Sequence, residues 1–188
     1  RMPSMLLADG TMGQMMEPVE LPEETCGTVE KPWAVTGTNM KREHKIINSL
    51  YLVPEQLERT NVERFERYKQ IEENEVRYEL LGSENPDVAI IAFGCSSRIS
   101  KKVIQVAAEE GIQVALLRPI TLWPFPKDAV RELSRRVRSI LVVENNAGQM
   151  LYDVQLAVEG RLPVEHYGRF GGIIPTPQEI LDKIKAML

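Results

Sequence analysis

The run Val88-Ala89-Ile90-Ile91-Ala92-Phe93 is continuously apolar and follows the turn sequence Asn85-Pro86-Asp87. A short run of this kind, bounded by turn residues, is typical of a strand that is buried on both faces. A helix is predicted after it, at residues 100–110, and Gly111 ends that helix. An apolar strand followed by a helix is therefore the unit from which the rest of the chain is built.

This unit repeats as far as residue 188. Further strands are predicted at residues 112–117, 139–143 and 164–167, and further helices at 126–137, 149–158 and 176–188. Thr176 and Glu179 have the spacing of a capping box at the start of the last helix. Strands that are apolar on both faces must be covered on both faces, and their crossovers are right-handed. The sequence thus predicts an α/β fold, with a three-layer, doubly wound, mostly parallel sheet.

The first part of the chain has a different pattern. Residues 4–8 form a short apolar run that Asp9-Gly10 ends, which predicts a buried strand. Prolines, glycines and acids dominate residues 17–38 and indicate a linker or extended arm. Residues 55–81 contain neither glycine nor proline, and their apolar side chains recur every three to five positions. That spacing predicts a long helix, which Gly82 ends, packed along the surface of its own protein rather than in a coiled coil.

Composition excludes several classes of partner. The net charge of −4 provides no positive field for nucleic acid, and charged residues interrupt every apolar run, so no membrane helix is predicted. The sequence contains two cysteines, Cys26 and Cys95, which are too few for an iron–sulfur cluster or a four-thiolate zinc site. They favour a reducing, cytoplasmic location. The two histidines, His44 and His166, lie in unrelated segments and are interpreted as structural or exposed.

In a parallel sheet, the loops after the strands form one rim, where ligands usually bind. The first rim segment is Gly94-Cys95-Ser96-Ser97-Arg98. Ser96, Ser97 and Arg98 are a candidate anion site, although ordinary capping by a serine explains the same pattern. The segment lacks the glycines of a dinucleotide fingerprint, and Arg98 occupies the last glycine position of a nucleophile elbow. Cys95 is interpreted as a buried, inert thiol.

The second rim segment, Arg118-Pro119-Ile120-Thr121-Leu122-Trp123-Pro124-Phe125-Pro126, combines prolines with two aromatic residues. Such a stiff, apolar segment loses little entropy when it docks on a partner, but core packing is an equally ordinary use of its aromatics. Residues 144–149 and 168–172 are the third and fourth segments of the rim. We interpret the following residues as candidate subunit contacts: Arg118, Trp123, Phe125 and Gln149.

Six segments occur in a specific order along the chain. They are Asp9-Gly10, residues 13–18, Ala92-Phe93-Gly94, residues 118–126, residues 143–150 and Gly168-Arg169-Phe170-Gly171-Gly172. Together they resemble the alpha subunit of thiamine-diphosphate-dependent 2-oxoacid:ferredoxin oxidoreductases, most closely the 2-oxoisovalerate type. The resemblance covers essentially the whole chain.

The resemblance implies that residues 1–18 are a remnant of a pyrimidine-binding domain and that residues 86–188 form a transketolase C-terminal-like domain, with a linker and long helix at 19–85. The chain would be the C-terminal part of a longer subunit. The complete enzyme converts a 2-oxoacid to an acyl-CoA and passes electrons to ferredoxin. Thiamine diphosphate, magnesium and iron–sulfur clusters would be held elsewhere in the complex. No catalytic, cofactor-binding or metal-binding residue is therefore assigned here, and the chain by itself is expected to be inactive.

The implied partners are a thiamine-diphosphate-binding beta subunit, a gamma subunit and a ferredoxin-like subunit. Self-association through residues 1–16 is also expected, because five of the eight methionines lie in this segment. Two alternatives remain open at this point. The chain could belong to a transketolase-like or 2-oxoacid dehydrogenase enzyme, or it could be a nucleotide-binding α/β module that uses residues 94–98.

Overall fold

The computed structural model describes residues 3–8, 10–14, 16, 18–21, 23, 27 and 30–188. The chain divides into two compact units, Arg1–Glu66 and Arg67–Leu188. Cys26, and with it the predicted state of its thiol, lies outside the described residues. In chain order the elements are α1 (Gly10–Gln14), α2 (Pro54–Asn74), β1 (Tyr78–Gly82), β2 (Val88–Ala92), α3 (Gly94–Glu109), β3 (Val114–Pro119), α4 (Lys127–Ser134), β4 (Ser139–Glu144), α5 (Met150–Val158), β5 (Val164–Gly168) and α6 (Pro177–Met187).

The second unit is built on a five-stranded sheet in the order β1-β3-β2-β4-β5, as far as the described residues show. β2 is parallel to both β3 and β4, β4 is parallel to β5, and only β1 is antiparallel to its neighbour. The chain steps from β2 to β3 on one side and then crosses to β4 on the other. The predicted doubly wound, mostly parallel sheet is thereby confirmed.

Alternate side chains of β2 point into two separate cores. Val88, Ile90 and Ala92 lie in a cluster with α3 and α6, whereas Ala89 and Ile91 lie in a cluster with α4 and α5. All five residues are fully buried, which explains why the sequence of this strand shows no polar alternation. Helices on both faces complete the three layers.

The predicted long helix at residues 55–81 was wrong in its last seven residues. α2 ends at Asn74, and Tyr78–Gly82 form β1, which pairs antiparallel with β3. Exposure alternates along β1, so one face packs inward and the other does not. Gly82 ends the strand with φ of +94°, and a side chain there would overlap the carbonyl oxygen of Val114. The sheet therefore begins before residue 86, where the strand and helix repeat was predicted to start.

The predicted buried strand at residues 4–8 was also wrong. Residues 3–8 have no regular structure, and Met5, Leu6 and Leu7 are 80, 99 and 84% exposed. A strand needs a neighbouring edge to satisfy its backbone, and no described segment offers one here. α1 follows at Gly10–Gln14, where no helix was predicted.

The first rim segment is helical rather than a loop. α3 begins at Gly94, six residues before the predicted start, because Gly94 adopts φ of +56° directly after the extended Phe93. The N–H of Ser97 donates to the carbonyl oxygen of Phe93 at 3.2 Å and closes the first turn. The capping box at Thr176 and Glu179 was predicted correctly, and both of its hydrogen bonds are present.

Candidate functional site

The carboxyl ends of β2 and β4 adjoin at the point where the chain reverses its winding direction. α3 leaves β2 over one face of the sheet and α5 leaves β4 over the other. In doubly wound sheets this crevice is the usual position for a ligand.

Asn145, directly after β4, connects this loop to the first turn of α3. Its amide nitrogen Nδ2 lies 2.8 Å from Sγ of Cys95, and its oxygen Oδ1 accepts a 3.4 Å hydrogen bond from the hydroxyl of Ser96. Cys95 is 5% exposed and Ser96 is 3% exposed, whereas Asn145 is exposed. Hydrogen bonds between the loop after β4 and the first turn of α3 therefore span the crevice.

The three residues of the candidate anion site differ in how far they are buried. The hydroxyl of Ser97 donates to the carbonyl oxygen of Gly94 at 2.8 Å, and this side chain is buried like that of Ser96. Arg98 is exposed on the outer side of the same turn. The two serine hydroxyls are therefore engaged within the fold, and the anion site stays a prediction.

Glu144, the last residue of β4, organises the third rim segment and was not singled out by sequence reasoning. It is 1% exposed, and its carboxyl oxygens accept from the backbone N–H groups of Met150 at 2.8 Å and Leu151 at 3.1 Å. The side-chain amide of Asn146 donates to it at 3.1 Å. Glu144 thereby satisfies the first amides of α5, which the side chain of Gln149 does not cap. The signal was a carboxylate placed immediately after the apolar run Ile140-Leu141-Val142-Val143.

His166 on β5 faces this carboxyl group. Its Nε2 lies 3.8 Å from Oε1 of Glu144, which is beyond hydrogen-bonding distance, and this buried atom has no hydrogen-bond partner among the described residues. The neighbouring Gly168 lies so close to both His166 and Asn146 that a side chain there would overlap them. His166 was predicted to be structural or exposed; it is packed here, and its lack of a metal-binding role stays a prediction. Glu144 and His166 therefore pack beneath the third and fourth segments of the rim.

A shallow groove of about 700 Å³ lies at the outer end of the same rim, within the second unit. Trp123 is 55% exposed beside it, and its ring contacts that of Tyr68 edge to face, with centroids 5.6 Å apart. Phe125 is half-buried and packs on the core of α4 and α5. The groove therefore offers an apolar surface whose rim carries the following charged residues: Lys69, Glu72, Glu73, Lys127 and Asp128.

The other two candidate contact residues are Arg118 and Gln149. Arg118, near the end of β3, forms an ion pair with Glu79 of β1 at 3.0 Å. Lys101 of α3 approaches the same carboxyl oxygen at 3.8 Å. Gln149 is exposed at the start of α5. Arg118 is thus tied within the sheet, whereas Trp123 and Gln149 present free surface.

The described residues do not fit the metal groups that the resemblance implies for the complete enzyme. Within the described part of the chain, no three His, Cys, Asp or Glu side chains lie together as they would to hold a metal ion. Neither magnesium diphosphate nor an iron–sulfur cluster can therefore be assigned to these residues. No described helix is long and apolar enough to cross a membrane.

Residues 86–180 match the family described as pyruvate:ferredoxin oxidoreductase core domain II. The chain belongs to this family. The assignment confirms the membership among 2-oxoacid:ferredoxin oxidoreductases that the ordered rim segments indicated. The matched region begins just before β2 and reaches into α6, so it contains all four parallel strands and both cores of this core domain II.

Known proteins extend the comparison over the rest of the chain. The chain is 39% identical over 186 residues to the ketoisovalerate oxidoreductase subunit VorB of Methanothermobacter thermautotrophicus, which covers 98% of the chain and 52% of that relative. The chain thus spans about half the length of this relative. The similarity includes residues 1–53 ahead of α2, here called the arm, as well as the sheet.

Two solved structures share the fold. A 2-oxoglutarate:ferredoxin oxidoreductase from Magnetococcus marinus, with 2-oxoglutarate, coenzyme A and succinyl-CoA bound, superimposes with a TM-score of 0.62 at 24% identity, over 72% of the chain and 24% of that protein. A split gene transketolase gives a TM-score of 0.52 at 18% identity, over 58% of the chain and 40% of that protein. These similarities confirm the predicted transketolase-like α/β fold of the core domain II.

Proposed function

We propose that this chain is part of the alpha subunit of a thiamine-diphosphate-dependent 2-oxoacid:ferredoxin oxidoreductase of the 2-oxoisovalerate type. The observation that carries the proposal is the 39% identity over 186 residues to a ketoisovalerate oxidoreductase subunit. The complete enzyme joins a 2-oxoacid to coenzyme A, releases carbon dioxide and passes two electrons to ferredoxin. The two separate cysteines of the sequence support a cytoplasmic location for it.

Within that enzyme the chain acts as a scaffold and contact surface. Thiamine diphosphate, magnesium and the iron–sulfur clusters belong to other parts of the complex, which include a thiamine-diphosphate-binding beta subunit, a gamma subunit and a ferredoxin-like subunit. Hydrogen bonds and ion pairs already occupy the inward-facing polar residues of the rim, such as Glu144 and Arg118. This arrangement favours a structural role for the chain over a catalytic one.

The proposed contact surface is centred on Trp123. Large, half-exposed aromatic side chains that lie in rigid segments are frequent anchors of protein interfaces. Phe125 supports the segment from below and Gln149 extends the surface toward the crevice. Arg118 holds the base of the segment through Glu79.

Affinity purification through a tag on this chain, from cells that contain its natural partners, tests the proposed activity. We expect the other oxidoreductase subunits to co-purify, and we expect the complex to reduce a viologen dye with 2-oxoisovalerate and coenzyme A. Turnover with 2-oxoglutarate should be lower. Isolation of a complex that oxidises no 2-oxoacid would overturn the proposal, whereas a preference for 2-oxoglutarate would correct the substrate type alone.

Substitution of Trp123 tests the contact surface. Trp123→Ala should weaken binding of the partner subunits by on the order of tenfold or more, because truncation of an interface anchor costs about 2 kcal/mol. Tyr152→Ala is the matched control, since Tyr152 is an aromatic residue on α5 that is 67% exposed. If Trp123→Ala lowers the melting temperature of the isolated chain and leaves assembly unchanged, the residue serves packing against Tyr68 only.

A further inference from the structure

The outer edge of β1 carries backbone groups that the sheet does not use. Among the described residues β1 pairs only with β3. The carbonyl oxygen of Arg77 accepts from Ile120, and the N–H of Ser83 donates to Val114. Hydrogen-bonded pairs alternate along an antiparallel ladder, so Glu79 and Leu81 also direct their backbone groups toward β3.

The backbone N–H and C=O groups of Tyr78, Leu80 and Gly82 consequently point away from the sheet. The register agrees with this, because Tyr78 lies opposite Pro119, which has no N–H to exchange. A row of such groups on an edge strand is a template for a further strand.

The side chains along this edge are apolar and exposed. Tyr78 and Leu80 are each 46% exposed and lie on one face of β1, while Leu81 on the other face packs against the core of α3 and α6. Glu79 is the one charged residue in β1, and its carboxyl group is already paired with Arg118. The edge therefore lacks the unpaired charge that would keep another strand away.

The opposite edge of the sheet is different. The five residues of β5 are all half-buried, and Glu165 in this strand forms an ion pair with Lys183 of α6. Of the two edges, β1 is the one that combines outward backbone groups with exposed apolar side chains. An occupant of this edge must supply an extended strand with apolar side chains on one face.

We propose that β1 pairs antiparallel with β1 of a second copy of this chain, across a two-fold axis at Leu80. In this register Leu80 faces Leu80 of the second copy, and Tyr78 faces Gly82. Tyr78, Leu80 and Gly82 are the residues whose backbone groups point outward. The pairs Leu80–Leu80 and Tyr78–Gly82 therefore exchange hydrogen bonds. The sheets of the two copies join into one continuous sheet.

The sequence of β1 complements itself in this register. Gly82 has no side chain, and the ring of Tyr78 from the second copy covers the space that this leaves. Glu79 faces Leu81, and Arg77 faces Ser83, so no two like charges meet. Moving the axis to Glu79 instead would place two glutamates directly opposite each other, which is destabilising. The axis at Leu80, the central residue of β1, avoids this repulsion and also pairs all five residues of the strand.

Sedimentation of the 188-residue chain over a wide concentration range tests the pairing. We expect a reversible dimer that Leu80→Pro and Leu80→Lys each weaken at least tenfold. Proline is tolerated here because the N–H of Leu80 does not bond to β3, and lysine blocks the edge by its charge. Leu156→Lys, at a 75% exposed leucine on α5, should leave the dimer intact.

Amide hydrogen exchange provides a second measurement that needs no substitution. Protection at Tyr78, Leu80 and Gly82 should increase with chain concentration, while that of the central strand β2 stays constant. A chain that is monomeric at every concentration would overturn the proposal. A dimer that Leu80→Lys leaves unchanged would overturn it too, because the contact would then lie elsewhere, for example in residues 3–8. The pairing does not depend on the proposed enzymatic role, and these experiments leave that role untouched.

Discussion

Glu144 fixes the geometry of the rim at the scale of one residue. Its two carboxyl oxygens accept from two backbone amides of α5 and from Asn146, and Asn146 in turn accepts from the backbone N–H groups of Gly148 and Gln149 through Oδ1. The loop between β4 and α5 thus has a polar centre that is buried from solvent. A change at this position acts on the whole loop.

We expect Glu144→Gln to lower the free energy of unfolding by about 2 kcal/mol, because one amide N–H would replace an accepting oxygen and leave a buried donor facing a donor. Urea unfolding measures this. Glu132→Gln is the control, since Glu132 is exposed and pairs only with Arg135 on the surface. Equal stability of the two variants would show that the buried carboxyl group contributes little.

Gly168 is the rim glycine with the least space around it. Gly168→Ala should destabilise the chain by about 1–3 kcal/mol, because the new methyl group would overlap the carbonyl oxygen of Asn146 and the ring of His166. Gly37→Ala is the comparison, as nothing lies within 4 Å of that position. Thermal unfolding of the two variants distinguishes a packed site from an open one.

Sequence reasoning recovered these residues unevenly, for a physical reason. Trp123 and Phe125 stand out through their type and their prolines, and the segment does lie at the rim. The role of Glu144 depends on amides six and seven residues later and on the packing of His166 and Gly168 from another strand. No local pattern reports such contacts.

At the scale of elements, some local signals were read correctly, whereas the long-range pairing of β1 was missed. The capping box of α6 lies within four residues and was predicted. β1 was missed because a partner about forty residues away, β3, supplies its hydrogen bonds. The residues before it continue a helical pattern, so propensity favoured a longer helix until tertiary pairing decided otherwise. The strands β2 and β4 were found because burial on both faces marks them in the sequence.

The capping box makes the stability of α6 depend on pH. The backbone N–H of Thr176 donates to Glu179 at 2.8 Å and, with the Thr176 hydroxyl and the charge of Arg169, lowers the pKa of this carboxyl group below its ordinary 4.5, although partial burial opposes the shift. A lowered pKa in the folded state stabilises the fold above 4.5 and loses that contribution as the pH falls through the folded value.

Glu179→Gln should therefore cost stability at neutral pH, and the difference from the natural chain should shrink as the pH falls below 4.5. Urea unfolding across this range measures it. Asp182→Asn, in the same helix but outside the capping box, should not reproduce the loss at neutral pH. A difference that is constant with pH would mean that the side-chain shape, and not its charge, is what caps the helix.

At the scale of the whole molecule, the two units differ in how far they bury their apolar side chains. The second unit buries many of its apolar residues in two cores. In the first unit Leu6, Met16, Met40 and Ile46 are each at least 87% exposed. So much exposed apolar surface is typical of a segment that binds a partner. Self-association through residues 1–16 stays a prediction, and the similarity to VorB extends over this arm as well.

Limited digestion with trypsin should cut in the arm, within the first unit, before it cuts in the second unit. Lys41 and Arg42 are exposed and lie outside helices and strands, whereas Lys101 and Lys102 are exposed within α3. A protease must bind its substrate in an extended form, which costs the unfolding of α3 but only local rearrangement at Lys41. We expect a fragment that starts at residue 42 or 43 to accumulate, with cleavage in α3 slower by on the order of tenfold or more.

The same digestion on the purified complex shows whether partners cover the arm. If they do, cleavage at Lys41 and Arg42 slows while the slower cleavage within α3 keeps its rate, because burial by a partner protects the arm alone. If cleavage at Lys41 is equally fast in the complex, then no partner subunit covers this part of the first unit. Cleavage of α3 as fast as that of the arm in the free chain would contradict the division into a cooperative sheet unit and a separate arm, because α3 packs against both β2 and β3.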